Sequence, residues 1–399
     1  MIDAVLPLEG THYWIGRAHG EQLKEQVLNN VRGFYNILSD FGLRREFLVQ
    51  RALKEQSVLS DRRLEEIEGI AHGAGIEFPD MLAFNIYGGL AFPDECTVLI
   101  AMGDATTSGR TILAKNSDKI GSESMVGPNF YKNKEINVVL GIRPKEGNAV
   151  IGVAAAGSTG FKMGMNDKGV LSGCNISRTL ELRLRKVDTT QMRALDRTQL
   201  ERDGLECNTA IDAARKIANH LNENPMSTPG NLEFADAKEA WIIEGSYDRL
   251  AMKVLREGVD SRSNMFVVLR ELNDPEDLSS QCRYVRTQQL LTRNAGNIDV
   301  QKMIEFTMDH ENGPGPNSIC RHGSHFVEET SQSSAVMEVN PDQPEKSTFT
   351  VCLGKPCHAW RHPEGHFTVD MTFKESDIPE SFRNGEAWKK FWTEEVYQG

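Results

Sequence analysis

The sequence predicts a layered α+β fold, in which blocks of helices and antiparallel strands pack around one core. The chain has 399 residues, 39% of them hydrophobic, which is enough for a sizeable core. Helical periodicity comes first, β-branched runs follow, and helices and strands then return as further blocks. Blocks of this kind favour α+β layers over alternating βαβ units. Because no repeat and no linker divides the chain, we expect a single compact unit.

Amphipathic helices are predicted in the first part of the chain. From His19 to Leu38, apolar residues recur at intervals of three or four with charged residues between them. A second helix begins near Ser60 or Asp61, either of which can cap its first turn. The helical pattern continues to about Asn85 and is then broken by glycines at 88 and 89 and a proline at 93.

Strands follow, because the chain becomes β-branched and aliphatic. Strands are predicted at residues 98–102, 111–114, 136–142, 150–155, 169–174, 241–244, 250–255, 265–269, 334–339 and 348–353. A turn at residues 106–109 joins the first two as a hairpin. Further helices are predicted at residues 190–221, 283–291 and 300–308.

Charge and composition exclude several function classes. The chain carries 45 basic against 57 acidic side chains, a net charge of -12, without a long basic run, so we expect no nucleic-acid partner. No stretch has the ~20 apolar residues that a membrane span needs, and the first residues lack a secretory signal. A cytoplasmic location without membrane attachment is therefore expected. Seven cysteines, an odd number in a long chain, predict mostly reduced thiols, one of which is a candidate for reactivity.

Cys96 stands where helical character gives way to strands. It is either a nucleophile at a strand tip or an ordinary small core residue. Three short motifs follow one another along the chain: Cys96-Thr97, Lys115-Asn116-Ser117-Asp118 and Gly164-Met165-Asn166-Asp167-Lys168-Gly169. This series resembles the N-terminal-nucleophile hydrolases with a cysteine nucleophile, among them the choloylglycine hydrolases.

The closer resemblance is to the isopenicillin-N acyltransferase family of autoproteolytic hydrolases, which also have a helical segment before the cysteine. Further matches are residues 16–20, 69–75, 240–244, 283–286, 309–310 and 318–322, together with Asn231 and Asp236. The similarity extends from about residue 16 to residue 357. It implies a four-layer αββα sandwich of the N-terminal-nucleophile type. It also implies self-cleavage between Glu95 and Cys96, which would leave a helical α fragment, residues 1–95, bound to a catalytic β fragment, residues 96–399.

The chemistry explains why a cleaved cysteine is useful. A nucleophile needs a base, and an α-amino group with a pKa of ~7.7 to 8.0 suits neutral pH. If Cys96 becomes a chain start, it supplies both thiol and base. The expected enzyme is a zymogen that matures into an amidase, cleaving a small non-peptide or linear amide through a thioester. Acyl transfer to an amine such as a β-lactam nucleus stays open, as does an uncleaved, non-catalytic binding protein. The resemblance predicts a small-molecule amide or acyl donor as partner and leaves homo-oligomerisation open.

The resemblance assigns roles to several further residues. Asp118 would orient the new amine, unless it is only a turn or surface carboxylate. Lys115 stands where the choloylglycine relatives have arginine, and a cation near a thiol favours thiolate. Asn166 and Asn231 are candidate oxyanion donors. Asn166 lies in a glycine-rich turn and Asn231 follows Pro229-Gly230, so a purely structural role stays open for each. The substrate-binding candidates are Thr97, Arg283 and Arg321, and for the two arginines a structural ion pair stays open.

No cofactor is expected. The glycine-rich stretches lack a nucleotide-binding fingerprint. Residues 320–325, with Cys352, Cys357 and His358, contain the side chains that zinc prefers, but their spacing fits no closed Cys-x-x-Cys pattern. The sequence therefore predicts no metal site.

Overall fold

The computed structural model describes residues 2–91, 95–120, 135–184, 195–224, 226–323, 329–388 and 390–391. The strands are β1 Ala4–Gly10, β2 Glu95–Met102, β3 Ile112–Ile120, β4 Asn137–Pro144, β5 Val150–Ala155, β6 Met163–Asn166, β7 Leu171–Ile176, β8 Gly230–Ala235, β9 Ala240–Gly245, β10 Leu250–Leu255, β11 Gly258–Arg262, β12 Glu329–Glu338, β13 Thr348–Leu353 and β14 His366–Asp370. The helices are α1 His12–Gln22, α2 Lys24–Asp40, α3 Arg45–Glu55, α4 Asp61–Ala74, α5 Phe78–Ala91, α6 Leu180–Leu184, α7 Arg197–Leu205, α8 Ala210–Glu223, α9 Leu278–Arg293, α10 Val300–Thr307, α11 Pro356–Ala359, α12 Glu380–Arg383 and α13 Glu386–Trp388. Within these ranges, no helix combines the length and apolar character that crossing a bilayer requires.

The strands form two sheets. Sheet A has eight strands in the order β1-β4-β5-β6-β7-β8-β9-β10, and sheet B has six in the order β11-β2-β3-β12-β13-β14. Neighbouring strands are antiparallel except for β1, which pairs with β4 in parallel. The predicted hairpin is present, since β2 and β3 pair with Cys96 opposite Ser117. In sheet A, strand β1, which precedes residue 95, pairs with β4, which follows it.

Helices cover the outer faces of both sheets. On one side, α1 to α5, α7 and α8 pack against sheet A through a core that includes Phe34, Phe84 and Leu200. The inner faces of the two sheets share a second core, which extends through sheet B to α9 and α10. The order of layers is therefore helix, sheet, sheet, helix. This confirms the predicted four-layer α+β sandwich.

Glycines allow α1 and α4 to approach closely. A Cβ at Gly69 would overlap the carbonyl oxygen of Tyr13 and lie 2.7 Å from the backbone nitrogen of Arg17. Gly16, Gly20 and Gly73 are enclosed by backbone atoms in the same way. The glycine-rich motifs at residues 16–20 and 69–75 thus meet each other, which gives them a packing role.

Most predicted elements are present, and the differences have local causes. Strands β5, β10 and β13 have the predicted bounds, whereas α5 continues past the glycines at 88 and 89 to Ala91. The predicted strand at residues 265–269 is wrong, because the N–H groups of Val267, Val268 and Leu269 donate to the Glu244 carboxylate instead of a neighbouring strand. The first residues of the helix predicted at 190–221 lie outside the described ranges, and its remainder forms α7 and α8.

Candidate active site

Cys96 lies near the start of β2 and is fully buried. Side chains alternate along a strand, so Cys96 shares a face with Val98. Val98 faces sheet A, since its Cγ2 lies 3.5 Å from the position that a Cβ on Gly173 would take. The thiol is therefore directed into the space between the two sheets, and Glu95 and Thr97 are directed to the opposite face, towards α9 and α10.

Side chains hold the backbone of Cys96 on both sides. Its N–H donates to Asn264 Oδ1 over 3.1 Å, and its carbonyl oxygen accepts from Arg283 Nη1 over 3.0 Å. Arg283, on α9, also donates to Thr97 Oγ1 over 3.0 Å and to Asn264 Oδ1 over 2.8 Å. Burial lowers the pKa of Arg283 to about 10, and Arg321 acts in the same direction. Two sequence-predicted residues thus meet at the nucleophile, and Asn264, which the sequence did not reveal, joins them.

Asp118 lies on β3 directly opposite Glu95 and is fully buried. Ser331 Oγ donates to Asp118 Oδ1 over 2.6 Å, and Arg321 Nη1 lies 3.7 Å from Asp118 Oδ2. Burial raises the pKa of Asp118, an effect that Arg321 and Arg283 oppose. Among the described residues, Asp118 Oδ2 has no hydrogen-bond partner. Asp118 is therefore a buried acceptor with one oxygen still available.

The Glu95 carboxylate is surrounded by guanidinium groups. It pairs with Arg178 through one oxygen and with Arg321 through the other, and Arg283 Nη2 lies 3.9 Å from the second oxygen. Glu329 is shared, at 2.9 Å from both Arg178 and Arg321. Arg178 is 45% exposed, so the cluster opens to solvent on that side.

A pair of asparagines faces the gap between the sheets from sheet A. Asn231 Nδ2 on β8 donates to Asn175 Oδ1 on β7 over 2.6 Å and to the carbonyl oxygen of Met265 over 3.2 Å. Asn175 Nδ2 is buried, and it has no hydrogen-bond partner among the residues that the structure describes. Sequence reasoning missed Asn175. The available signal was a second polar side chain, after Ser172, in a short strand whose other residues are apolar or glycine.

Two other predicted residues have partners away from the Cys96 backbone. Asn166 donates to the carbonyl oxygens of Leu205 and Cys207 at 2.7 and 2.8 Å, and its own oxygen accepts from two turn N–H groups. This amide is fully engaged in a turn, so we do not retain it as an oxyanion donor. Lys115 is on the thiol's face of sheet B, but its Nζ donates to the carbonyl oxygen of Lys162 and lies 3.9 Å from Cys174 Sγ.

A separate cleft lies on the helical side of sheet A. The cleft is open to solvent, has roughly 350 Å³ of empty space, and is lined by residues that include Gly88, Gly89, Glu135 and Lys162. Cys96 is not among the lining residues, so we do not place the chemistry there.

The chain also brings potential metal ligands together. One ligand atom from each of His310, Cys320, His322 and Cys357 lies within 4.8 Å of all the others. The sequence had grouped Cys320, His322 and Cys357 as zinc-type side chains but found no closed spacing, and it missed His310, which reaches the others only in the folded chain. Ser324 and His325 lie outside the described residues.

No protein-family model matches the sequence. Three solved structures that resemble the chain are a Caenorhabditis elegans N-acylethanolamine-hydrolyzing acid amidase ortholog, penicillin V acylase from Agrobacterium tumefaciens, and a variant of the conjugated bile acid hydrolase from Clostridium perfringens. Their sequence identities are 15%, 13% and 13%, and their TM-scores are 0.42, 0.40 and 0.43. The matches cover 65%, 72% and 71% of this chain and 99%, 89% and 95% of the other chains. Likeness of this degree does not transfer an activity from one protein to another.

Proposed function

We propose that the protein is a self-processing amidohydrolase whose nucleophile is Cys96, made N-terminal by cleavage after Glu95. The observation that carries the proposal is the buried Cys96 backbone, held at its N–H by Asn264 and at its carbonyl by Arg283. An ordinary core cysteine in a strand does not need two buried polar side chains for its main chain. The motif order, which resembles the isopenicillin-N acyltransferase family, supports the same assignment.

Self-cleavage would proceed in two steps, an acyl shift from nitrogen to sulfur and a hydrolysis. The Cys96 sulfur attacks the carbonyl carbon of Glu95, the C–N bond breaks, and the thiol proton ends on the released amine. Water then hydrolyses the thioester, giving a carboxylate on Glu95 and restoring the thiol. The α and β fragments would stay associated, because β1 pairs with β4 and α1 to α5 pack on sheet A.

In the cleaved enzyme, the new amine would act as the base. Asn264 Oδ1 already accepts from the Cys96 nitrogen, and it would hold the amine in place. Asp118 is the nearby carboxylate with a free oxygen among the described groups, and it is the second candidate acceptor. The amine takes the thiol proton as sulfur attacks the substrate amide, and later gives it to the leaving amine. Asn175 Nδ2 is the best placed donor for the oxyanion, since it is buried and faces the thiol's side of the gap.

The arginine cluster indicates the acyl part of the substrate. Glu95 supplies the acyl group in self-cleavage, so its side chain occupies the position of a substrate's acyl chain. Its carboxylate meets Arg178, Arg283 and Arg321. Without this carboxylate, Arg178 and Arg321 would keep Glu329, but three cations would face fewer acidic groups, so a second anion would be stabilised there. We therefore include in the proposal an acyl group that ends in a carboxylate, with the chain length of a glutaryl or glutamyl unit.

Intact mass of the purified protein tests the self-cleavage. We expect two fragments, residues 1–95 and 96–399, from the wild-type chain and one uncut chain from Cys96→Ala. Cys282→Ser, which changes a half-buried cysteine on α9, is the matched control and should be cut like the wild type. An uncut wild-type chain without amidase activity would contradict the proposal and favour the non-catalytic binding protein.

Matched substrates test the acyl preference. The cleaved enzyme should hydrolyse a glutaryl anilide faster than its uncharged methyl ester, by at least about tenfold in kcat/KM, which corresponds to about 1.4 kcal/mol. Arg178→Ala should reduce this ratio, because Arg178 contacts the carboxylate and is exposed enough for the fold to tolerate the change. Equal rates for the two anilides would refute the acyl assignment while leaving the amidase intact. Offering an amine together with water measures acyl transfer in the same assay.

A further inference from the structure

The four clustered ligands come from separate parts of the chain. His310 follows α10, Cys320 and His322 lie in the segment before β12, and Cys357 is in α11. His322 Nε2 lies 3.2 Å from Cys357 Sγ and 3.7 Å from Cys320 Sγ. The rings of His310 and His322 are also close, with centroids 4.9 Å apart. The cluster therefore presents two sulfur and two imidazole donors to one small volume.

The spacing fits a tetrahedral zinc ion. With Zn–S of about 2.3 Å and Zn–N of about 2.0 to 2.1 Å, neighbouring ligand atoms lie roughly 3.3 to 3.8 Å apart. The two nitrogen–sulfur distances from His322, 3.2 and 3.7 Å, lie on either side of the roughly 3.5 Å expected for such a pair, and no pair of ligand atoms is more than 4.8 Å apart, so binding would close the widest pairs by up to about 1 Å. All four ligands belong to the protein, and such closed sites are structural, whereas catalytic zinc keeps an open position.

Simple packing explains the cluster less well. Cys320 is fully buried and Cys357 nearly so, and the imidazole of His322 contacts both thiols and packs against the ring of His310, where apolar side chains would fill a core. His310 Nε2 is buried, and none of the described residues offers it a hydrogen bond. A disulfide between the two cysteines would leave both histidines without a role.

We propose that His310, Cys320, His322 and Cys357 bind one Zn²⁺ ion, which fixes the segment carrying Arg321. Arg321 stands between two of the ligands in sequence, and its side chain contacts Glu95 and lies 3.7 Å from Asp118. Its backbone is fastened to β12, since Arg321 N–H donates to Ser331 Oγ over 3.0 Å and its carbonyl accepts from Ser331 N–H over 3.1 Å. The ion would thus hold Arg321 as a positioning residue for Glu95 and Asp118, on the face of β2 and β3 opposite the thiol.

Elemental analysis of the full-length protein tests the site. The chain is dialysed against trace Zn²⁺ and then against metal-free buffer, and stoichiometric zinc is expected in the wild type, in Cys96→Ala and in the control Cys282→Ser. Cys96→Ala lacks the nucleophile, so zinc bound to this variant would support the metal site even if the proposed hydrolase activity were wrong. Cys357→Ser and His310→Gln should each lose most of the zinc.

Cobalt provides a second readout that does not depend on a variant folding. Co²⁺ added to the metal-free wild-type chain should give the absorption of a tetrahedral thiolate site, and Zn²⁺ should displace it. Removing zinc should lower the thermal midpoint of the wild type and leave that of Cys357→Ser unchanged. A wild-type chain that retains no zinc and gives no such cobalt spectrum would overturn the proposal, as would a mass lighter by two hydrogens from a Cys320–Cys357 disulfide.

Discussion

Glu233→Gln should change how the stability of the protein depends on pH. Glu233 lies on β8 between the sheets, and both of its carboxyl oxygens are buried without a hydrogen-bond partner among the described residues. Burial raises the pKa of Glu233 to about 8, an effect that Arg262 and Lys115 oppose and that Glu201 and Asp260 reinforce. The folded protein therefore keeps this carboxyl mostly neutral at neutral pH.

The sign follows from comparing the two states. In the unfolded chain, the carboxyl ionises near its ordinary pKa of 4.5, whereas in the folded chain it ionises near 8. The contribution of Glu233 to the free energy of unfolding is fully present below pH 4.5, and it is lost as the pH rises towards 8. Stability falls by up to about 1.4 kcal/mol per pH unit in this interval, a total on the order of 5 kcal/mol. Glutamine does not ionise, so the variant escapes this loss.

Unfolding followed by circular dichroism measures the effect, with Cys96→Ala as the parent so that the chain stays in one piece. Between about pH 5 and pH 8, the stability of Glu233→Gln relative to the parent should rise steadily. Glu257→Gln, at an exposed position, is the control and should follow the parent at every pH. Parallel curves for the parent and Glu233→Gln would refute the reasoning.

Two further substitutions test the packing and the oxyanion donor. Gly69→Ala should destabilise the fold by ~2 kcal/mol or more, because its Cβ would overlap backbone atoms of α1, whereas Gly88→Ala has space and should be neutral or stabilising in thermal melts. Equal melting of the two variants would contradict the close helix contact. Asn175→Ala should lower kcat by about 10²- to 10³-fold, since one buried oxyanion donor is lost. Intact mass measures self-cleavage of this variant separately, so that kcat refers to cleaved enzyme only. Asn166→Ala should instead lower stability with kcat little changed, and the opposite pattern would restore Asn166 to the site.

The local elements were predictable where one periodicity dominates. The N-cap at Ser60 follows directly from capping rules, whereas the helical pattern predicted to continue to about Asn85 is divided into α4 and α5 at Gly75, whose φ of 74° ends the first helix. The predicted strand at residues 265–269 failed because its apolar composition carries no sign that a distant carboxylate, Glu244, takes its N–H groups. Propensity describes a segment, whereas hydrogen-bond partners are set by the fold.

The site was predictable only in part for the same reason. Cys96, Asp118, Arg283 and Arg321 stood out because they lie in short motifs of recognisable order. Asn264 carries no such mark, since it lies in an irregular segment after β11 and meets Cys96 only when β11 pairs with β2 in sheet B. Sequence spacing argued against a metal for a similar reason, because two of the four ligands come from distant segments.

Strand β1 has a consequence for how the molecule assembles. Its residues Ala4–Gly10 are hydrogen-bonded to β4 at the edge of sheet A, and a cut after residue 95 would put these partners on different chains. Refolding of the denatured mature enzyme would then be bimolecular and slower at low protein concentration, while uncut Cys96→Ala would refold at a rate independent of concentration. The covalent tether would therefore be needed once, during synthesis, and afterwards the lifetime of the two-chain enzyme would depend on its rate of unfolding.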